Sequence, residues 1–148
     1  MTSKRRKPDD DQAAGEQHGL GCSANGCPLT GTISDSTGGG NWKCWAHDRL
    51  EEASQWPYLT RGINDNRWLF NLADRIATMP PYDIEQKAGE VASYLKSRDR
   101  ADLCRAKNEG QWSERCAIEP RANWTMRLRN AAYSAAFEYV RENWSRAA

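Results

Sequence analysis

The sequence predicts an α-helical chain with a small β element near its N-terminus: a two-stranded hairpin followed by a bundle of about four helices. Three observations lead there. Residues 21–47 are rich in Gly, Ser, Thr and Cys and poor in large aliphatics, so they cannot form an apolar core unaided. From Asp48 onward, apolar residues recur at the three- and four-residue spacing that lines one face of a helix. The 148 residues are only 39% hydrophobic and 28% charged, with a mean hydropathy of −0.90, so any core must be small. Seven tryptophans partly offset this, because each aromatic ring buries a large apolar area.

Taken in order, residues 1–20 place Lys4-Arg5-Arg6-Lys7 before Asp9-Asp10-Asp11 and offer almost nothing to bury. They read as a disordered, solubilising tail. In residues 21–47, Thr32-Ile33-Ser34 and Asn41-Trp42-Lys43-Cys44-Trp45 are the two strand candidates, with Gly38-Gly39-Gly40 as the reversal between them. Residues 48–148 form the helical domain. Asp48 and Glu51 resemble a capping box for a short helix running to Trp56, where Pro57 stops it. Leu69, Leu72, Ala73 and Ile76 share one face of a second helix that Pro80-Pro81 ends.

A third helix starts near Tyr82 or Asp83 and carries Ile84, Ala88, Val91 and Leu95; charges from Lys96 to Arg100 predict a break. Leu103 and Ala106 suggest a further short turn. The last helix opens at Pro120 and presents Trp124, Leu128, Ala131, Ala132, Ala135, Tyr139 and Val140. Its small residues, Ala136 included, leave room for another helix to approach closely.

The residues that carry chemistry are Cys22-x4-Cys27-x16-Cys44-x2-His47, two close pairs separated by a loop. Each pair can come from one tight turn, and the loop can return the second pair to the first, which is what a tetrahedral zinc site requires. One structural Zn2+ is therefore expected, bracing a hairpin that would be marginal in water alone. His18 is an alternative fourth ligand. Cys104 and Cys116 read as buried free thiols, with a disulfide or second site as alternatives. Five cysteines, an odd number, argue against a complete disulfide framework.

Gly26-Cys27-Pro28-Leu29-Thr30-Gly31 with Trp42-Lys43-Cys44-Trp45-Ala46-His47 resembles the zinc-ribbon segment of small bacteriophage-encoded proteins. The resemblance implies a zinc-ribbon over residues 21–47 and a viral origin. It implies no catalytic residues.

Four protein ligands would close the zinc shell and leave no place for a reactive water, so an enzyme is not expected. Glu51 and Glu52 follow His47 but would have no zinc-bound water to deprotonate. Neither the deaminase pattern nor a phosphate-binding Gly-x-x-x-x-Gly-Lys loop is present. The net charge of +1 conceals a local excess: nine basic against five acidic residues lie between Lys96 and Arg129.

Two functions fit. In the first, the protein acts by protein–protein interaction on host or phage nucleoprotein machinery and modulates or inhibits a host enzyme or complex. In the second, it is a nucleic-acid-binding accessory factor of replication, recombination or transcription, with Trp42, Trp45 and Trp112 stacking on bases and Arg98, Arg100, Arg105 and Lys107 meeting phosphates. No run of about 18 apolar residues exists, and no apolar stretch follows the basic N-terminus, so a cytoplasmic protein without membrane contact is expected.

Overall fold

The computed structural model describes residues 21–34, 42–50, 52–107 and 118–147. Two short strands, β1 (Ile33–Ser34) and β2 (Trp42–Lys43), pair antiparallel with Ile33 opposite Lys43 and Ser34 opposite Trp42. The predicted Gly38–Gly40 reversal lies outside the described residues, as does the tail of residues 1–20. Among the described residues, five α-helices follow: α1 (Trp45–Arg49), α2 (Trp56–Asp65), α3 (Arg67–Thr78), α4 (Pro81–Ser97) and α5 (Arg121–Ala147). Short 3-10 turns cover Ala53–Gln55 and Ala101–Leu103.

Several expectations about boundaries are corrected. Trp45 opens a helix rather than closing a strand. The cap of that helix is Cys44 and not Asp48, which lies inside the first turn; Glu51 is outside the described residues. Pro57 does not stop a helix but stands in the first turn of α2, where its missing N–H would have had no intrahelical partner. Pro81 likewise begins α4. The break expected between Lys96 and Arg100 is present. Asp99 takes a φ of 64°, and the amides of Asp99 and Arg100 fold back on the carbonyls of Lys96 (3.0 Å) and Leu95 (2.8 Å), closing α4 in a left-handed C-terminal cap.

The chain divides into two compact units, and not at the composition change near residue 48. One comprises Met1–Asn66 with Tyr133–Ala148, the other Arg67–Ala132, so the long helix α5 contributes to both. Among its described residues, the first unit buries Ala24, Cys44, Ala46, His47, Leu59, Ile63, Ala136 and Val140. Here α2 and α5 approach closely at Gly62, where a Cβ would stand 2.7 Å from the Ala136 carbonyl oxygen. The alanine face of α5 therefore serves as the sequence suggests.

The second unit buries the apolar stripes of α3 (Leu69, Leu72, Ala73, Ile76) and α4 (Ile84, Val91, Leu95) together with Leu103, Trp124, Leu128 and Ala132. One charged side chain joins them. Glu119 is 1% exposed, yet its carboxylate takes two hydrogen bonds from Arg127 (2.8 and 2.9 Å) and one from the Ala106 amide (3.0 Å). Burial pushes this carboxyl up, but Arg127 and the amide outweigh it and hold it below its ordinary value. The second unit is thus a conventional apolar core with one fully satisfied ion pair. Among the described residues, no helix is long and apolar enough to cross a membrane.

Candidate metal centre

The first ligand pair comes from a turn. The Cys27 amide donates to the Ala24 carbonyl (3.1 Å), and Gly26 supplies the φ of 82° that this reversal needs and that other residues rarely adopt. The Cys22 amide donates to the Leu29 carbonyl (3.1 Å), closing the loop behind the turn. The four residues between Cys22 and Cys27 are therefore what a turn with its flanks consumes.

The second pair comes from a helix start. Cys44 is the N-cap of α1 and His47 lies three residues on, so both side chains project from the same side of the first turn. The Cys44 Sγ accepts from the His47 amide at 3.4 Å, doing the work of a capping oxygen.

Backbone bonds next to the ligands then hold the pairs together. The Ser23 amide donates to the Trp42 carbonyl (2.7 Å) and the Thr32 amide to the Lys43 carbonyl (2.8 Å). Gly31 lets these segments meet, since a Cβ there would fall 2.8 Å from the Cβ of Trp42.

The result is a cluster in which the Sγ atoms of Cys22, Cys27 and Cys44 and a ring nitrogen of His47 all lie within 4.8 Å of one another. His47 Nδ1 stands 3.2 Å from Cys44 Sγ and 3.5 Å from Cys22 Sγ, and Cys27 Sγ is 4.0 Å from Cys44 Sγ. That last separation is about twice a disulfide bond length, so these are thiols. They perturb one another strongly. Hydrogen bonds from Cys27 and Cys44 pull the Cys22 thiol far below its usual range, and the same sharing pushes Cys27 far above it. Burial draws His47 down, but its bonds with Cys22 and Cys44 outweigh this and lift it to about 9. Such a donor set concentrates electron pairs that a divalent cation would neutralise.

The site has an outer layer that residue spacing does not reveal. His47 is fully buried, and its outward nitrogen, Nε2, is 2.9 Å from the Thr60 hydroxyl in α2. That contact leaves Nδ1 to face the sulfurs. Trp56 meets the imidazole edge-on, with centroids 5.3 Å apart. Asn64, one helical turn after Thr60, donates to the Gly26 carbonyl (3.1 Å) and so ties α2 to the Cys22–Cys27 turn. Thr60 and Asn64 lie on a helix with no Cys or His, and nothing in their spacing singles them out.

The remaining predicted residues are scattered. Trp42 is half-buried, whereas Trp45 is 40% exposed, with Arg49 over its ring (4.5 Å) and Tyr133 beside it (4.8 Å). Arg100 forms a two-bond pair with Asp102 (3.0 and 3.1 Å). Arg105 donates to the Glu119 carbonyl (2.7 Å) and pairs with Glu85 (3.2 Å). Arg98 lies over the rings of Trp68 and Tyr94, and Lys107 is exposed. Cys104 is a half-buried thiol whose Sγ is 3.9 Å from the Ala92 carbonyl. His18, Trp112 and Cys116 lie outside the described residues.

No family model, no curated protein and no solved structure matches this chain.

Proposed function

We propose that Cys22, Cys27, Cys44 and His47 hold one zinc ion in a closed structural shell, as a zinc-ribbon does, and that the protein is a phage-type accessory factor acting by contact with a protein partner. The observation that carries the metal reading is the spacing of the donor atoms. Zn–S and Zn–N bonds of about 2.3 and 2.0 Å in a tetrahedron imply ligand-to-ligand edges of roughly 3.5–3.8 Å. The separations of 3.2, 3.5 and 4.0 Å bracket that range. Three thiolates and an imidazole select zinc over hard, oxygen-seeking cations. They also fill all four positions, which argues against catalysis at the metal.

Contact with a protein is favoured over nucleic acid by the use of the basic residues. Of the four candidate phosphate contacts, Arg100 and Arg105 are committed to Asp102, Glu85 and the Glu119 carbonyl, which leaves only Arg98 and Lys107 for phosphates. Trp45, in contrast, presents an aromatic surface next to the ligand Cys44, the type of residue that anchors protein interfaces. A host enzyme or a phage nucleoprotein complex is the partner class we favour.

Elemental analysis tests the metal reading: about one zinc per chain is expected, retained in Cys104→Ser/Cys116→Ser and lost in Cys44→Ser. Zinc loss from the first variant would overturn the ligand assignment. Salt titration with single- and double-stranded DNA tests the partner class. Sub-micromolar binding at about 150 mM salt would place the protein among nucleic-acid binders.

A further inference from the structure

We infer that the face formed by α3 and α4 is a docking groove for an acidic, amphipathic segment of a partner protein. The inference rests on the protein-contact reading above and specifies a surface and a chemistry for it.

Two adjoining depressions lie on this face, with volumes of about 520 and 300 Å3, and both are lined by Arg75 and Tyr94. Apolar and polar side chains share both linings. Met79 and Val91 line the larger one, and Trp68 and Leu72 the smaller. Lys87 and Glu90 complete the larger depression and form a loose pair at 4.0 Å.

Glu90 lies in the groove but pairs loosely with Lys87, and two further carboxylates of these helices are held by arginines outside it. Asp74 on α3 is bound by Arg129 (2.9 Å) and Glu85 on α4 by Arg105 (3.2 Å). Arg75 and Arg98 have no carboxylate partner among the described residues. Arg98 is nevertheless held in place. Its guanidinium lies 4.7 Å from the Trp68 centroid and 5.4 Å from that of Tyr94, and it donates to the Tyr94 hydroxyl at 3.3 Å. A guanidinium fixed on aromatic rings has already lost much of its rotamer freedom and keeps other N–H groups to offer a carboxylate.

The groove therefore combines apolar side chains with Arg75, which lacks a carboxylate partner, and is bordered at Trp68 and Tyr94 by a second such arginine, Arg98. A peptide carrying Leu or Phe on one face and Asp or Glu beside it satisfies both features at once. A nucleic-acid backbone does not, because it presents uniform negative charge to Met79, Val91 and Glu90 alike. Arginine with Trp and Tyr is also the composition in which binding energy concentrates.

Fluorescence anisotropy on the zinc-loaded full chain tests the inference with labelled synthetic helices of about 16 residues. One carries Leu at i, i+3, i+4 and i+7 with Glu elsewhere, the second has Lys in place of Glu, and the third keeps Glu but lacks Leu. The first is expected to bind best, and Arg75→Glu and Arg98→Glu should each weaken it by about tenfold or more. Both side chains are exposed, and matching circular dichroism would verify that the variants fold. Absence of binding, equal binding of the acidic and basic helices, or indifference to Arg75→Glu overturns the groove and leaves a contact through Trp45 standing. A single-stranded oligonucleotide that binds at about 150 mM salt and is lost in Arg75→Glu overturns both readings.

Discussion

The unit of residues 21–66 and 133–147 includes a histidine and a cysteine, His47 and Cys44, among its most deeply buried side chains, beside Leu59 and Ile63. The unit of residues 67–132 instead buries Leu69, Leu72, Ile76, Leu95, Leu128 and Trp124, and its buried charge, Glu119, has every partner it needs. Polar groups are thus enclosed in both, but they are compensated differently. Arg127 supplies a permanent counter-charge in the second unit, whereas three thiols and an imidazole in the first compensate one another only by sharing protons. A bound cation would complete the first unit, and the second is complete from its own side chains.

The sharpest way to break this comparison is to deprive the Cys/His cluster of the ion we propose it holds. Structural zinc contributes on the order of 10 kcal/mol in small sites, more than a unit of this size can lose. Chelation or Cys44→Ser should therefore expose the amides of α2 as well as those of residues 22–34 and 42–47, because Thr60 and Asn64 tie that helix to the cluster. Hydrogen exchange read by mass spectrometry should find α3 and α4 still protected. Equal loss of protection in both would mean that the second unit is not independent.

The mirror experiment strikes the second unit. Arg127→Ala leaves Glu119 buried without its main partner, and we expect a loss of about 2–4 kcal/mol, moderated because Arg127 is partly exposed. Thermal unfolding would measure it, with zinc content unchanged. The same pair sets an acid limit. Since the folded carboxyl titrates below its ordinary value, its contribution is fully present above about pH 4.3 and fades as pH falls through the lower folded value. Glu119→Gln should flatten that dependence.

A smaller effect separates ligand from support. Thr60→Val removes the acceptor for His47 Nε2–H and should weaken zinc binding about 10- to 100-fold in competition with a chromophoric chelator, while Thr60→Ser restores it. Unchanged affinity would reduce Thr60 to a packing residue. Smallest of all, Asp65→Ala breaks an exposed pair with Arg61 (3.2 Å) in the unit with the Cys/His cluster and should shift its stability by no more than about 0.5 kcal/mol.

What could be read from the sequence follows from range. Periodic apolar residues are local signals, so the stripes Leu69–Ile76 and Ile84–Leu95 and the alanine face of α5 were visible. The clustering of Cys22, Cys27, Cys44 and His47 was visible because soft donors at turn-like spacing are rare by chance. Pro57 misled, because the same ring geometry that ends a helix also suits its first turn. Cys44 masked the start of α1, since a thiol is not among the usual capping groups. Thr60 and Asn64 act through partners 13 and 38 positions away and Glu119 through partners 8 and 13 away, and no local pattern encodes such pairings. The same distance hid the unit boundary, which depends on where α5 returns rather than on composition.

That shared helix has a consequence for biosynthesis. The chain emerges from the ribosome N-terminus first, at about 5–20 residues per second, and domains fold as their parts become available. Arg67–Ala132 is contiguous, whereas the unit with the Cys/His cluster is complete only once Tyr133 onward has been made, several seconds after Cys22, Cys27, Cys44, His47 and Thr60 have appeared. During that interval the three thiols are exposed to oxidants and to competing metals. Early capture of the ion would protect them, so the order in which the chain is made favours loading the metal before the fold around it closes.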